Sequence, residues 1–224
     1  MKSIVRLIEK AKTNVLLQVF TIYLRYLLGG AFVIAAIIMG KLSNVPMAIA
    51  NNSQPIGELQ PLQQFFRVMN ESGLYWNFIG WTQIACGVLM MTQRMAKLGA
   101  LIFFGIILNI FLITISYGFN GTPVVTGLML LGAIYLLLWD IGSLQYIAFT
   151  PDENNLPKSV SGKLIDSNYW TVLGFLMLAS VATGTLLKWP MVIVLFIPVV
   201  EGLAGLIVYF VMFQTKIVQR MTTS

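Results

Sequence analysis

Leu98-Gly99-Ala100-Leu101-Ile102-Phe103-Phe104-Gly105-Ile106-Ile107-Leu108-Asn109-Ile110-Phe111-Leu112-Ile113-Thr114-Ile115-Ser116-Tyr117-Gly118-Phe119 contains no lysine, arginine, aspartate, glutamate or histidine. A helix needs about 20 such residues to cross the hydrocarbon core of a bilayer. Five further runs of the same character extend over Val19–Lys41, Tyr75–Gln93, Val124–Tyr146, Tyr169–Leu187 and Pro190–Phe213. Backbone amides in lipid must be satisfied within their own segment, and a barrel would show short alternating strands instead of unbroken apolarity. The sequence therefore predicts an all-α membrane protein with six spans.

Composition agrees with this reading. The chain is 58% hydrophobic and 10% charged, against roughly 25% charged residues in soluble domains, so most of its surface meets the lipid bilayer. Its net charge of +6 arises largely beside the spans, without an aromatic-interleaved basic stripe. Anionic headgroups are therefore the expected partner, and nucleic acid is not.

Lys2, Arg6, Lys10, Lys12, Arg94, Lys97, Lys158, Lys163, Lys216 and Arg220 fall on one set of connections, and Lys41, Arg67 and Lys188 on the other. The positive-inside rule then predicts cytoplasmic N and C termini. Residues 1–18 place Ile4, Ile8, Ala11 and Val15 on one helical face and Arg6 and Lys10 on another, the pattern of an amphipathic interfacial helix. Residues 19–146 form a four-helix unit, 147–168 a Pro-, Asn- and Ser-rich cytoplasmic linker, 169–213 a C-terminal helix pair and 214–224 a cytoplasmic tail. On the outer side, Pro61 opens a short helix whose Leu62, Phe65, Phe66 and Met69 share a face suited to capping the bundle.

Polar side chains that are costly to hold in lipid are the first places to look for chemistry. Arg25 and Asp140 lie at matching depth, roughly 9 to 11 Å from the inner boundary, and opposite sign makes an ion pair the economical arrangement. Glu201, near the middle of the sixth span, competes for the same cation, so Arg25, Asp140 and Glu201 form the expected buried polar network. Lys41, Trp81, Gln83, Asn109 and Tyr117 converge in depth on the outer half. An aromatic wall with ammonium and amide donors there suits a flat ligand with carbonyl oxygens, such as a quinone.

Several chemistries are excluded. The chain has no histidine and a single cysteine, Cys86, which removes histidine-based metal sites, bis-histidine haem and thiol relays. No metal ligands, catalytic residues, phosphate-binding glycine pattern or nucleophile elbow are identified.

Arg25-Tyr26-Leu27-Leu28-Gly29-Gly30-Ala31-Phe32, Gly40-Lys41-Leu42, Gly80-Trp81-Thr82-Gln83-Ile84-Ala85-Cys86-Gly87-Val88-Leu89 and Arg94-Met95-Ala96-Lys97-Leu98-Gly99-Ala100 resemble, in order and spacing, the DoxX family of four-helix membrane bundles. The resemblance covers residues 19 to about 146 and leaves two additional C-terminal transmembrane helices outside it. It implies a bacterial inner-membrane protein related to the small membrane subunit of thiosulfate:quinone oxidoreductase. Such a protein would be an accessory or anchor of a quinone-linked or other redox process. Carried over by position, Arg25, Lys41, Trp81 and Gln83 are the residues it singles out. With no intrinsic cofactor, electron transfer would need bound quinone or a redox-complex partner bearing the redox centre. Two other functions fit the same residues: a small-molecule or proton transporter using Arg25, Asp140 and Glu201, and a membrane assembly or chaperone protein presenting residues 43–74 to a partner.

Overall fold

The computed structural model describes residues 8–42, 55–118, 121–148 and 167–222. Every regular element among them is helical: α1 (Val15–Ile38), a 3-10 turn (Ile56–Glu58), α2 (Pro61–Glu71), α3 (Leu74–Met91), α4 (Ala96–Ser116), α5 (Thr122–Trp139), α6 (Ile141–Ala148), α7 (Asn168–Leu186) and α8 (Met191–Thr222). Residues 8–11 form one further helical turn. Five helices, α1, α4, α5, α7 and the Met191–Met212 part of α8, are long and apolar enough to cross a membrane. The chain is a helical membrane protein. α3, the counterpart of the run Tyr75–Gln93, falls outside that set because its 18 residues include Asn77, Thr82 and Gln83.

Two compact units divide the chain at Ser167–Asn168. In the first, α1, α3, α4 and α5 pack in a ring, with α1 extensively against α3, α3 against α4, α4 against α5, and only sparsely α5 against α1. Leu28 and Phe32 of α1, Cys86 and Met90 of α3, Phe103 and Ile107 of α4, and Ala133 and Leu136 of α5 form one core. Phe32 and Phe103 stack across it with ring centroids 4.1 Å apart.

Glycine sets the α1–α3 distance. A Cβ on Gly87 would meet the Gly29 carbonyl oxygen at 2.6 Å, and one on Gly80 would meet the Lys41 Cβ at 2.6 Å. The two backbones touch at both places, the close approach that small residues permit in membrane helices.

Local signals explain the helix ends. The Asn14 side-chain oxygen accepts from the Leu16 N–H at 2.9 Å and caps α1. Residues 15–18, predicted as part of an interfacial helix, therefore belong to α1, while residues 1–7 lie outside the described residues. The run Val124–Tyr146 also divides. Asp140 caps α5 with its backbone N–H on the Leu136 carbonyl, and α6 begins at Ile141, so Asp140 sits at a helix end and not within a span.

α2 caps one end of the bundle, as its aromatic spacing predicts: Phe66 meets Trp76 of α3 edge-on at 6.4 Å, and Phe65 lies 5.4 Å from Tyr117, beyond α4. Residues 43–54 of the segment predicted on the outer side and 149–166 of the predicted linker are outside the described residues.

The second unit is a helical hairpin. Lys188, in the left-handed region at φ 53°, closes α7, with the Trp189 N–H on the Gly184 carbonyl at 2.9 Å. α7 and α8 then pack through Leu173 on Gly205, where a Cβ would come within 2.5 Å of Leu173. The Tyr169 hydroxyl donates to the Gly205 carbonyl at 2.6 Å. α8 continues to Thr222, through most of the stretch predicted as a tail.

Candidate functional site: two buried cations on one helix

α1 carries one buried cation near its middle and another just past its C-terminus. Arg25 is 2% exposed and Lys41 5%, and the intervening residues place them on the order of 20 Å apart. Each donates to a glutamine, Lys41 to Gln83 of the neighbouring helix α3 and Arg25 to Gln93 just past its C-terminus, but the remainder of their surroundings differs.

At the Arg25 end, Nη2 donates to Asp140 Oδ2 at 2.8 Å and Nη1 to Gln93 Oε1 at 3.0 Å. One turn earlier, the Thr21 and Tyr135 hydroxyls lie 3.0 Å apart and join α1 to α5. Lys97 donates to Ser143 at 2.9 Å. Lys12 is near enough to Asp140 to feel its charge, although burial lowers the Lys12 pKa more strongly than the carboxylate raises it. Gln93 holds φ 61°, with its N–H on the Met90 carbonyl at 3.3 Å. It fills the left-handed position after a helix that glycine usually takes. A non-glycine residue there is costly, and the side chain so placed supplies the Arg25 acceptor. Arg25 Nε and Gln93 Nε2 are buried without a hydrogen-bond partner.

At the Lys41 end, α1 closes with a Schellman motif: the Gly40 N–H bonds Ile37 O and the Lys41 N–H bonds Ala36 O, both at 3.1 Å, with Gly40 at φ 63°. This turn aims Lys41 back at α3, where the missing side chain of Gly80 admits its backbone. Lys41 Nζ donates to Gln83 Oε1 at 2.9 Å and sits 5.0 Å from the centroid of the Trp76 ring. Both partners are neutral, and among the described residues no carboxylate pairs with this ammonium. Burial pushes its pKa down to about 8. The buried Trp76 Nε1 has no hydrogen-bond partner.

Of the five residues expected to line one pocket, Lys41 and Gln83 meet. Trp81 is 61% exposed and two positions from the buried Gln83, thus on another side of α3. Asn109 is exposed on α4, and Tyr117 is 40% exposed with its ring against Phe65. Glu201 accepts from the Ser180 hydroxyl at 2.9 Å within the second unit. Trp76 and Gln93 were not among the expected residues. Trp76 sits within an aromatic cluster that reads as an interfacial belt, and Gln93 reads as the end of a span.

Among the described residues no three histidine, cysteine, aspartate or glutamate side chains gather as metal ligands. Comparison with protein-family models, with curated proteins and with solved structures gives no significant match.

Proposed function

We propose that the first unit is a DoxX-like bundle whose Lys41 end receives a lipid-soluble ligand with carbonyl oxygens, of which a quinone is the leading instance. On this reading the protein is an accessory or anchor of a redox process and leaves the catalytic step to a partner. The carrying observation is the Lys41 ammonium, buried against an amide oxygen and an indole face with no carboxylate. A buried cation is normally paired. This one keeps donor capacity that Gln83 does not use, beside a Trp76 N–H that also lacks an acceptor. A carbonyl oxygen accepts from such donors, and a charge-assisted hydrogen bond is about twice as strong as a neutral one. The aromatic surfaces of Trp76 and Phe66 suit a planar ring.

The reading includes α3 as a sixth span, both termini cytoplasmic and a bacterial inner membrane, supported by the lysine and arginine distribution. Titration of the purified full chain with a short-tailed benzoquinone tests it. Lys41→Met should weaken binding by about tenfold or more, Gln83→Leu should weaken it less, and Trp81→Leu on the exposed side should leave it unchanged. Absence of binding, or equal losses in all three variants, would overturn the assignment.

A further inference from the structure

Asn109 lies seven residues before the end of α4, roughly 10 Å along the helix, and is exposed, with no side-chain hydrogen bond among the described residues. Polar neighbours on the same helix behave differently. The Thr114 hydroxyl donates to Phe111 O at 2.8 Å, and Ser116 to Leu112 O at 2.8 Å. A carboxamide facing hydrocarbon has no such recourse to water, so an unpartnered one is unfavourable there.

The surface around Asn109 has a second distinguishing feature. Leu101, Gly105, Leu108, Asn109, Leu112 and Ser116 are all exposed and lie on one face through the i, i+4 rows 101–105–109 and 108–112–116, the ridges of a close-packed helix seam. Leucines on such a seam face lipid equally well, but Gly105 is unexplained by lipid. A Cβ at Gly105 would meet nothing within 4 Å, whereas one at Gly99 on the same helix would meet Met90 N at 2.9 Å. Packing inside the chain therefore requires Gly99 and not Gly105, although glycine weakens a helix relative to alanine. The exposed apolar face of α5, with Val124, Leu128, Leu131 and Leu138, offers neither feature.

We infer that the exposed α4 face pairs with α4 of a second copy, with Gly105 setting the helix distance and the two Asn109 amides hydrogen-bonding to each other. A second copy is the occupant this chemistry selects. A two-fold axis along the membrane normal brings residues of equal depth together, and a carboxamide carries both the donor and the acceptor that its duplicate needs. Glycine on a membrane helix permits the close approach that brings short side chains within reach.

Disulfide trapping of the full-length chain in native membranes tests the pairing. Leu112→Cys on the seam should give an oxidised dimer, while Leu128→Cys on α5 and the wild type with its buried Cys86 should not. Adding Asn109→Leu should weaken association about tenfold, and Asn109→Gln should retain it. Single-molecule photobleaching in dilute proteoliposomes supplies a readout independent of the introduced cysteine, with two-step traces predominating for the wild type and one-step traces for Asn109→Leu. Equal trapping at Leu112→Cys and Leu128→Cys, one-step traces for the wild type, or no effect of Asn109→Leu would overturn the inference.

Discussion

The two cations of α1 are equally hidden, but they are neutralised in different ways. Arg25 faces a carboxylate and an amide, whereas Lys41 faces an amide and an aromatic ring. The first arrangement pairs its charge within the chain, although Arg25 Nε and Gln93 Nε2 stay without acceptors. The second retains an ammonium that can lose its proton near pH 8 and has room in its bonding for another acceptor. Burial alone therefore does not separate a clamp from a binding site, but the partner set does.

The sharpest way to break this comparison is to remove one charge at each end. Asp140→Leu leaves Arg25 buried and unpaired, with an expected loss of about 3 to 5 kcal/mol. Arg25→Met combined with Asp140→Leu should recover part of that loss. Lys41→Met strands no opposite charge but leaves the buried Gln83 Oε1 without its donor, so its cost should be about 1 to 3 kcal/mol. Thermal unfolding of the four proteins in one detergent measures all of this, and equal losses at Asp140 and Lys41 would erase the distinction.

A smaller effect is expected where α1 and α3 touch. Gly80→Ala inserts a methyl 2.6 Å from Lys41 Cβ, and overpacking of this kind costs about 1 to 3 kcal/mol. It should also displace the ammonium from Gln83. Gly105→Ala, with open space around it, should not weaken the isolated chain and should raise its stability by up to about 1 kcal/mol.

Acid–base behaviour sharpens the contrast further. The Lys41 pKa is about 8 in the fold against the ordinary 10.5, so between these values the unfolded chain holds more protons than the folded one. Stability should therefore rise as pH increases from about 8 towards 10.5. Proton loss also removes the charge-assisted donor, so affinity for a carbonyl ligand should fall as pH passes 8. Denaturant midpoints and ligand titrations of wild type against Lys41→Met check both trends, which the variant should lack.

Gln93 should show the smallest net effect. Gln93→Gly removes a left-handed non-glycine residue that costs about 1 to 2 kcal/mol and loses a hydrogen bond to a charged group worth about 1.5 to 3 kcal/mol. A net loss near 1 kcal/mol is expected. Gln93→Ala, which keeps the strain and loses the bond, should be less stable than Gln93→Gly in the same unfolding assay.

Helix identity was legible in the sequence, but direction around each helix was not. Apolar runs locate α1, α4, α5, α7 and α8 because lipid demands length and apolarity. The same apolarity on all sides of a membrane helix erases the contrast that would reveal its inward face. Trp81 and Gln83 share a depth and were placed on one wall for that reason, yet two residues of helix turn them to different sides. Opposite charge at matched depth pointed to Arg25 beside Asp140. The helix end at Asp140 has no proline, and its nearest glycine, Gly142, lies inside the next helix, while the left-handed backbone of Gln93 has no glycine to announce it.

Sparse packing between α1 and α5 has a mechanical consequence. α1 is locked to α3 by backbone contacts at Gly29–Gly87 and Lys41–Gly80, and it reaches α5 through the Arg25–Asp140 and Thr21–Tyr135 bridges and through Leu24 and Leu28 packed on Gly132. A boundary packed more sparsely than its neighbours opens at lower free energy than they do. The ring of four helices thus behaves as a cylinder with one zip, fastened by the Arg25–Asp140 and Thr21–Tyr135 bridges, and this line should part before the other three.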